Sequence, residues 1–334
     1  MTLKDYLKYV VHGGTLAVHD AERCCELLFK SEASQMDIAA LLCAMHARGE
    51  TVDELCGFLS TMRRHMSRVD GFEATAVDMC GTGGDGSHSF NLSTAASLVA
   101  AACGVTVAKH GNRAVSSKSG SADVIEALGL PFCESPAQAA SLLGEHGFAF
   151  LFAPNFHPAM KSVAPVRREL GVRTIFNLLG PLANPAQVRR QIIGVYNPIW
   201  LRTVIETLAR SGSDWVIACH SEGGLDEISL CGTTYYCMLK DGGISEGKWT
   251  PADWGLIPSQ VEVVDGSSAA NNAVRLRDIA NGREPDLREW IVANCAPALW
   301  ISGLAEDLRD AVVIARRCIV NGQFAEFLAR VGCA

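Results

Sequence analysis

From about residue 74 the chain falls into a rhythm that few folds tolerate, in which short β-branched runs alternate with Ala- and Leu-rich segments. "TAVDMC", "VTVAKH", "FAFLFAP", "RRQIIGVY" and "DWVIACH" read as strands. Between them, "STAASLVAAACG", "SADVIEALG", "AQAASLLGEHG", "HPAMKSVAPVRREL" and "WLRTVIETLARSG" read as helices. This alternation predicts right-handed βαβ crossovers and a mostly parallel sheet covered by helices, an α/β fold. "ISLCGTTYYCMLKDGGISEGKW" adds an antiparallel part that turns at Asp241-Gly242-Gly243, and the three segments after it return to helix. Sheets of this type take ligands beyond the carboxyl ends of their strands, so the strand-to-helix loops are where chemistry is expected.

Residues 1 to about 70 read as short helices without strands. "SQMDIAALLCAMHARG" opens on a possible Ser cap and stops at Gly49. "TVDELCGFLSTMRRHM" places Thr51 three residues before Glu54, the spacing of a capping box. Four such helices cannot enclose a deep cavity, so a small helical domain that packs on a partner is expected. At 334 residues and 49% hydrophobic, the chain can build a large core and more than one domain. A net charge of −7 argues against a nucleic-acid binder. No apolar run is long enough for a bilayer, and "MTLKDYLKYVVHGG" carries charges where a signal peptide needs an apolar stretch. The thirteen cysteines include no C-x-x-C pair and lie mostly in apolar stretches. They are expected to be buried, reduced thiols of a cytoplasmic protein.

Four stretches carry chemistry. "DMCGTGGDGSHSFNLST" holds Gly81, Gly83 and Gly86 in G-x-G-x-x-G spacing, a weak dinucleotide signal. No helix begins at the third glycine, and the next strand ends in the basic "AKHGNR", so the dinucleotide reading fails. A wide glycine loop followed by Asn91, Ser93 and Thr94 at a helix N-terminus suits an anion, though a plain turn would also fit. "KHGNRAVSSKSGS", residues 109–121, packs Lys109, His110, Arg113, Lys118 and four serines into thirteen positions with no carboxylate, a set suited to pyrophosphate. "HSEGGLDEISL" sets Asp226 beside Glu227, and in extended backbone their side chains diverge, so each can reach a different cation. Hard oxygens near phosphate suit magnesium; a vicinal Asp-Glu is equally common on a solvated surface. "HPAMKSVAPVRRELGVRTIFNLLGPLANP" holds Lys161, Arg167, Arg168 and Arg173, which read either as a solvated face or as a carboxylate clamp. His157 reads more readily as a helix-start residue than as a catalytic one.

Six ordered segments, "GTGGDG", "FNLSTAAS", "KHGNRAVSSKSGSADVIEALG", "APNFHPAMK", "VRRELGVRTIFNLLGPLANP" and "GLDEIS", closely resemble the anthranilate phosphoribosyltransferase family, and the likeness runs almost end to end. The resemblance implies a magnesium-dependent pentosyltransferase of tryptophan biosynthesis that joins anthranilate to 5-phosphoribosyl-1-pyrophosphate (PRPP). It implies a helical domain at 1–71, completed by about 166–186, and an α/β PRPP-binding domain at 72–334, like the nucleoside phosphorylases. A homodimer through the helical domain is implied too, with no nucleic acid and no membrane. Carried over by position, Gly81, Gly84, Asp85, Ser89, Asn91, Leu92, Ser93 and Thr94 line PRPP. Lys109, His110, Gly111, Asn112, Arg113, Ala114, Val115, Ser116, Ser117 and Ser121 hold the rest of it. Gly81, Asn112 and Arg167 contact anthranilate, and Ser93, Asp226 and Glu227 place Mg2+. Lys109, Asp226 and Glu227 then stabilise charge, and no general base is expected. Ser89 stands where the family usually has threonine, Ser162 where His or Asn is frequent, and Cys80 where a β-branched residue is usual. Two rivals share the architecture. A nucleoside phosphorylase uses a similar Lys-His-Gly loop without the acidic pair, and a non-catalytic nucleic-acid binder would carry a basic helical surface.

Overall fold

The computed structural model describes residues 1–30, 32–73, 75–83, 89–114, 119–260 and 264–332. Four helices come first: α1 (Leu3–Val11), α2 (Val18–Phe29), α3 (Gln35–Arg48) and α4 (Val52–His65). The capping box that opens α4 is complete. Glu54 N–H donates to Thr51 Oγ1 at 3.3 Å, and Thr51 N–H donates to Glu54 Oε2 at 2.9 Å. Ser34 stands at the N-cap of α3, but its hydroxyl makes no cap hydrogen bond. Glu54 does more than cap. Fully buried, it accepts Leu16 N–H at 3.0 Å and pairs with Arg48, whose guanidinium also reaches Gly14 O, so one carboxylate ties three parts of the bundle together.

The alternating region follows: β1 (Val77–Gly81), α5 (Leu92–Ala102), β2 (Val107–Gly111), α6 (Ser121–Leu128), α7 (Pro136–His146) and β3 (Phe148–Phe152). Then come α8 (Ala153–Phe156), α9 (Ala164–Leu170), α10 (Ile175–Leu182), β4 (Arg190–Gly194), α11 (Leu201–Arg210) and β5 (Trp215–Ser221). The hairpin β6 (Thr234–Lys240) and β7 (Gly243–Trp249) turns at Asp241 and Gly242, both at positive φ, as a two-residue connection requires. Helices α12 (Ala269–Ala280), α13 (Pro285–Ser302), α14 (Leu308–Val320) and α15 (Gln323–Gly332) finish the chain. Two expected helices are divided. "HPAMKSVAPVRREL" becomes a 3-10 turn at Pro158–Ser162 and then α9, since Pro158 and Pro165 lack the N–H a continuous helix needs. "LRDAVVIARRCIVNGQFAEFL", which reads as one helix, breaks at Asn321-Gly322, with Gly322 at φ 81°.

Seven strands form one sheet in the order β3-β2-β1-β4-β5-β6-β7, parallel from β3 to β5 and antiparallel beyond. Alternation along the strands splits the apolar core. Val77, Met79, Val107, Ile192 and Ile217 pack against α5, α13 and α14 on one face. On the other, Ile193, Val216, Ala218 and Leu239 join Tyr6, Leu28, Leu41 and Phe58 of the bundle, with α10 and α11, in a single cluster. The bundle therefore shares a core with the sheet rather than hanging from a linker. Arg63 of α4 reinforces the joint, donating to Ser211 O at 3.0 Å and Leu182 O at 3.5 Å, the carboxyl ends of α11 and α10, where helix dipoles favour a cation. A cavity of about 370 Å³ lined by Arg63, Phe72, Gln187 and Arg189 lies where chain enters β4 and β5, at the opposite end of the sheet from its carboxyl rim. All twelve described cysteines are free thiols, with Cys231 exposed. No helix among the described residues is long and apolar enough to cross a membrane.

Removing the Glu54 carboxylate takes a charged partner from the partly buried Arg48 guanidinium and the acceptor from two backbone N–H groups. Glu54→Ala is expected to lower unfolding free energy by about 3 kcal/mol, read from urea denaturation. Thr51→Ala, which removes only the cap, should lose about 1 kcal/mol.

Candidate functional site

The chain lays β1, β2 and β3 in one direction and then returns to place β4 on the other side of β1, so the strand order reverses between β1 and β4. Gly81 and Gly194 are paired at the carboxyl ends of those strands. The backbone of Asp226 requires glycine at 194, and its carboxylate lies close over Gly81. A Cβ on Gly194 would overlap the Asp226 carbonyl oxygen, and one on Gly81 would lie 2.6 Å from Asp226 Oδ2. The turn between β5 and β6 thus rests directly on the sheet at its switch point, where open α/β sheets bind ligands.

From there the two acidic side chains part, as an extended backbone dictates. Asp226 Oδ2 accepts Gly83 N–H at 3.0 Å, and Gly83 takes φ 64° to present it. Glu227 Oε1 accepts Ser93 N–H at 3.0 Å in the first turn of α5. That helix has no acidic residue in its own first turn, so Glu227 supplies the negative charge its dipole favours. Thr94 Oγ1, in the same turn, is buried without a hydrogen-bond partner among the described residues. The Leu92 side chain is sunk in the core, and its N–H is taken by Phe90 O at 2.6 Å. Asn91 ties the first two loops together. Its Nδ2 donates to Ser119 O at 3.1 Å, while its Oδ1 accepts from Asn272 of α12 at 3.0 Å. Ser89 bridges to Asp265 at the edge of this region. Gly84 and Asp85 lie outside the described residues, as do Val115, Ser116 and Ser117.

Lys109 is almost completely buried in β2, with its ammonium donating to Met79 O beneath the glycine loop. Burial pushes its pKa down, and Asp78, Cys80 and Glu227 pull it back up. Asp78, fully buried in β1, accepts His110 N–H at 3.1 Å and so fixes the start of the second loop. Burial raises the Asp78 carboxyl, and Lys109 opposes that rise. Gly111 has no room for a side chain, since a Cβ would meet Ser121 Oγ and the Phe150 ring. Ser121 Oγ in turn donates to Asn112 O at 3.2 Å, and Ala114 N–H donates to Asp123. The carboxylates absent from the loop sequence arrive from α6. Arg113 pairs with Asp123 at 2.9 Å and Glu126 at 2.8 Å, and its guanidinium lies over Phe132 and Phe152.

Two histidines meet on the other face of β2. The rings of His110 and His157 stand 5.1 Å apart, both buried, and each Nε2 lacks a partner among the described residues. Burial lowers His157 to about 4; burial, with His157 and Lys109 adding to it, holds His110 well below the usual range. His110 also hydrogen-bonds the Gly180 backbone of α10. One turn earlier in α10, Phe176 lies under the Arg167 guanidinium, 5.5 Å from its carbon. Burial pushes Arg167 below its ordinary pKa, and no carboxylate is paired with it among the described residues. Gly81, Ser93, Asp226 and Glu227 are thus brought together, with Lys109 beneath them. Asp78, Gly194 and Asn272 escape a sequence reading, as does the pairing of His157 with His110. Only Gly194, a glycine ending a strand of the parallel set, carries a local signal.

Comparison with known proteins agrees with this architecture. Residues 4–66 match the helical bundle domain of a glycosyl transferase family, and residues 73–325 match its a/b domain. Anthranilate phosphoribosyltransferase of Rhodopseudomonas palustris (strain ATCC BAA-98 / CGA009) is 45% identical over 319 residues, covering 96% of this chain and 94% of that protein. The crystal structure of anthranilate phosphoribosyltransferase (TrpD) from Thermus thermophilus superposes with a TM-score of 0.90 at 38% identity, covering 98% of each chain. The Saccharomyces cerevisiae enzyme in complex with PRPP and Mg gives 0.88 at 25% identity, covering 98% of this chain and 96% of that one.

The buried His157 makes stability depend on pH. Above its ordinary value of 6.5, folded and unfolded chains both carry a neutral ring. Below 6.5 the unfolded chain binds a proton that the folded chain refuses until about pH 4, so stability falls as pH falls across that window. The slope is at most about 1.4 kcal/mol per pH unit for this group. Urea denaturation at pH 7, 6, 5 and 4.5 should show the loss, with a shallower slope in His157→Gln.

Proposed function

The chain belongs to the glycosyl transferase family and, within it, to the anthranilate phosphoribosyltransferases, and from that premise we propose how its own residues perform the transfer. The reaction moves the 5-phosphoribosyl group of PRPP to the amino group of anthranilate and releases pyrophosphate, the second step of tryptophan synthesis from chorismate. One observation carries the proposal: the Asp226-Glu227 turn seats on Gly81 and Gly194 and reaches both the glycine loop and the first turn of α5.

PRPP occupies this junction in our reading. Its phosphoryl groups lie at the positive end of α5, beside the buried Thr94 hydroxyl, between the glycine loop and the loop that follows β2. The donor set fits magnesium. The Asp226 and Glu227 carboxylates and the Ser93 hydroxyl are hard oxygens, and no group of three or more His, Cys, Asp or Glu among the described residues could hold a metal alone. A cation that keeps several waters and shares phosphate oxygens needs no such cage. Magnesium bound there neutralises charge that builds on the departing pyrophosphate. Lys109 adds positive potential from below, fixed in place by Met79 O.

Anthranilate enters beside α10, where Arg167 receives its carboxylate and Asn112 and Gly81 complete the pocket. The partially buried guanidinium over Phe176, with no protein carboxylate paired to it among the described residues, supports that role. His110 and His157, held neutral, are poor proton acceptors at pH 7, which supports a transfer driven by positioning and electrostatics. The amino group of an aromatic amine is already unprotonated and attacks without a base. Closure of the bundle over the rim excludes water from PRPP. Dimerisation through the helical bundle belongs to the same proposal, and exposed Tyr9, Val11 and Met36 supply apolar surface for it.

Loss of anthranilate fluorescence with purified protein, PRPP and magnesium measures the reaction. Arg167→Ala is expected to raise KM for anthranilate at least tenfold while KM for PRPP moves less than threefold; equal rises would remove Arg167 from the acceptor site. Asp226→Asn combined with Glu227→Gln should abolish magnesium-dependent turnover. Wild-type turnover in that double variant would put the metal elsewhere.

A further inference from the structure

We propose that Asn294 of α13 is a positioning residue for the acidic pair, holding the backbone at Ile228 so that Asp226 and Glu227 aim at the glycine loop and at α5. The proposal rests on the reading that those carboxylates serve magnesium.

The turn that carries the pair is not part of a strand, and it leaves β5 through Gly223 and Gly224, both at positive φ. Side chains hold it instead. Glu227 O accepts from Ser221 Oγ, and Ile228 N–H donates to Asn294 Oδ1 at 2.9 Å. Ile228 O accepts from Asn294 Nδ2 at 2.9 Å, and Ser229 N–H donates to Thr234 Oγ1 at 3.2 Å. Four successive backbone groups are each met by a buried side chain. Ser221 Oγ and Thr234 Oγ1 are themselves 2.7 Å apart, which couples two of the clamping hydroxyls.

Asn294 is the member that comes from outside the hairpin. Its second amide hydrogen goes to Trp290 O at 3.0 Å, so the acceptor end of the carboxamide can face only the Ile228 N–H. Helix α13 is packed into the sheet core through Trp290, Ile291, Cys295 and Ala298. The amide therefore transmits the position of a rigid helix to a turn that has no ladder of its own. Because Ile228 adjoins Glu227 and follows Asp226 by two residues, a shift there moves both carboxylates together. A metal site tolerates little such movement, since magnesium demands near-octahedral geometry.

The test measures the clamp and the metal separately. Amide hydrogen exchange reads protection at Ile228 and Ser229. The free-ion electron paramagnetic resonance signal of Mn2+, with PRPP present, reads metal binding without turnover. Asn294→Asp sets a carboxylate oxygen against Ile228 O and Trp290 O where the amide donated, and that repulsion draws its other oxygen off Ile228 N–H; Asn294→Ala loses all three hydrogen bonds. Leu299→Ala, in the same helix and buried in the same core, is the stability control. Asn294→Asp should exchange at least tenfold faster at Ile228 and bind Mn2+ at least tenfold more weakly, with KM for anthranilate within twofold of wild type. Asn294→Ala should go further in both, and Leu299→Ala should leave Mn2+ binding unchanged. Faster exchange with unaltered Mn2+ binding in Asn294→Asp overturns the proposal, as does an equal weakening in Leu299→Ala. The underlying reading fails in a different way. If Asp226→Asn with Glu227→Gln binds Mn2+ like wild type while Ile228 stays protected, the metal assignment falls and this proposal with it.

Discussion

Everything at the rim follows from how closely one turn approaches two strand ends. With the Asp226 carbonyl against Gly194 and its carboxylate against Gly81, the sheet and the acidic turn have no room for a side chain between them. The contact converts a topological fact, the reversal of strand order between β1 and β4, into a chemical one. The Gly83 N–H of the glycine loop, the positive end of α5 and two carboxylates are drawn to one point. Each of these features is common in α/β proteins. Their coincidence depends on the missing Cβ of Gly194, with Gly81 beside it leaving the Asp226 carboxylate its place.

Burial then sets the electrostatics. Lys109 and Asp78 are both taken out of water on neighbouring strands, which costs free energy unless each finds partners. They find backbone: Met79 O for the ammonium, His110 N–H for the carboxylate. Those bonds register β1 against β2 at the level where both loops begin. The same burial keeps His110 and His157 neutral and leaves their Nε2 atoms without protein partners among the described residues. Groups left unsatisfied in this way destabilise the fold, and a ligand that meets them recovers that loss on binding.

Much of this was legible in the sequence. The five parallel strands, the β6–β7 hairpin and the α4 capping box were each carried by local patterns: β-branched runs, an Asp-Gly turn, and Thr51 with Glu54. The division of 157–170 was also written in its prolines, yet the apolar periodicity across it masked the break. The relation between loops was not legible. The second loop reads as uniformly basic, but Arg113 is neutralised by Asp123 and Glu126 one helix later, because α6 folds its first turns back under the loop. His157 does start the 3-10 turn at Pro158–Ser162, as its sequence reads, but nothing nearby in sequence shows that β2 will bring His110 to 5.1 Å from it. Asn294 lies 66 positions from Ile228 in the turn it holds and has no motif of its own. Long-range placement of single polar side chains leaves no periodic trace, and a resemblance carries residue identities without their partners.

The two arginines show why that last gap matters for assigning roles. On sequence alone, Arg113 falls in a loop suited to pyrophosphate, and Arg167 reads either as part of a solvated face or as a carboxylate clamp. In the fold, Arg113 is solvent-facing and spends its charge on two carboxylates of α6, with its flat face on Phe132 and Phe152. Those bonds fix the base of the second loop, so a ligand would have to compete with protein acids for this guanidinium. Arg167 has the opposite balance. Burial lowers its pKa, Phe176 covers one face, and no protein carboxylate is paired with it among the described residues. A cation in that position is stabilised most by an incoming anion of matching planar geometry, and a carboxylate on an aromatic ring has that shape. The proposed discrimination between substrates thus comes from compensation rather than from residue type. Protein acids occupy one arginine and leave the other's charge for the acceptor.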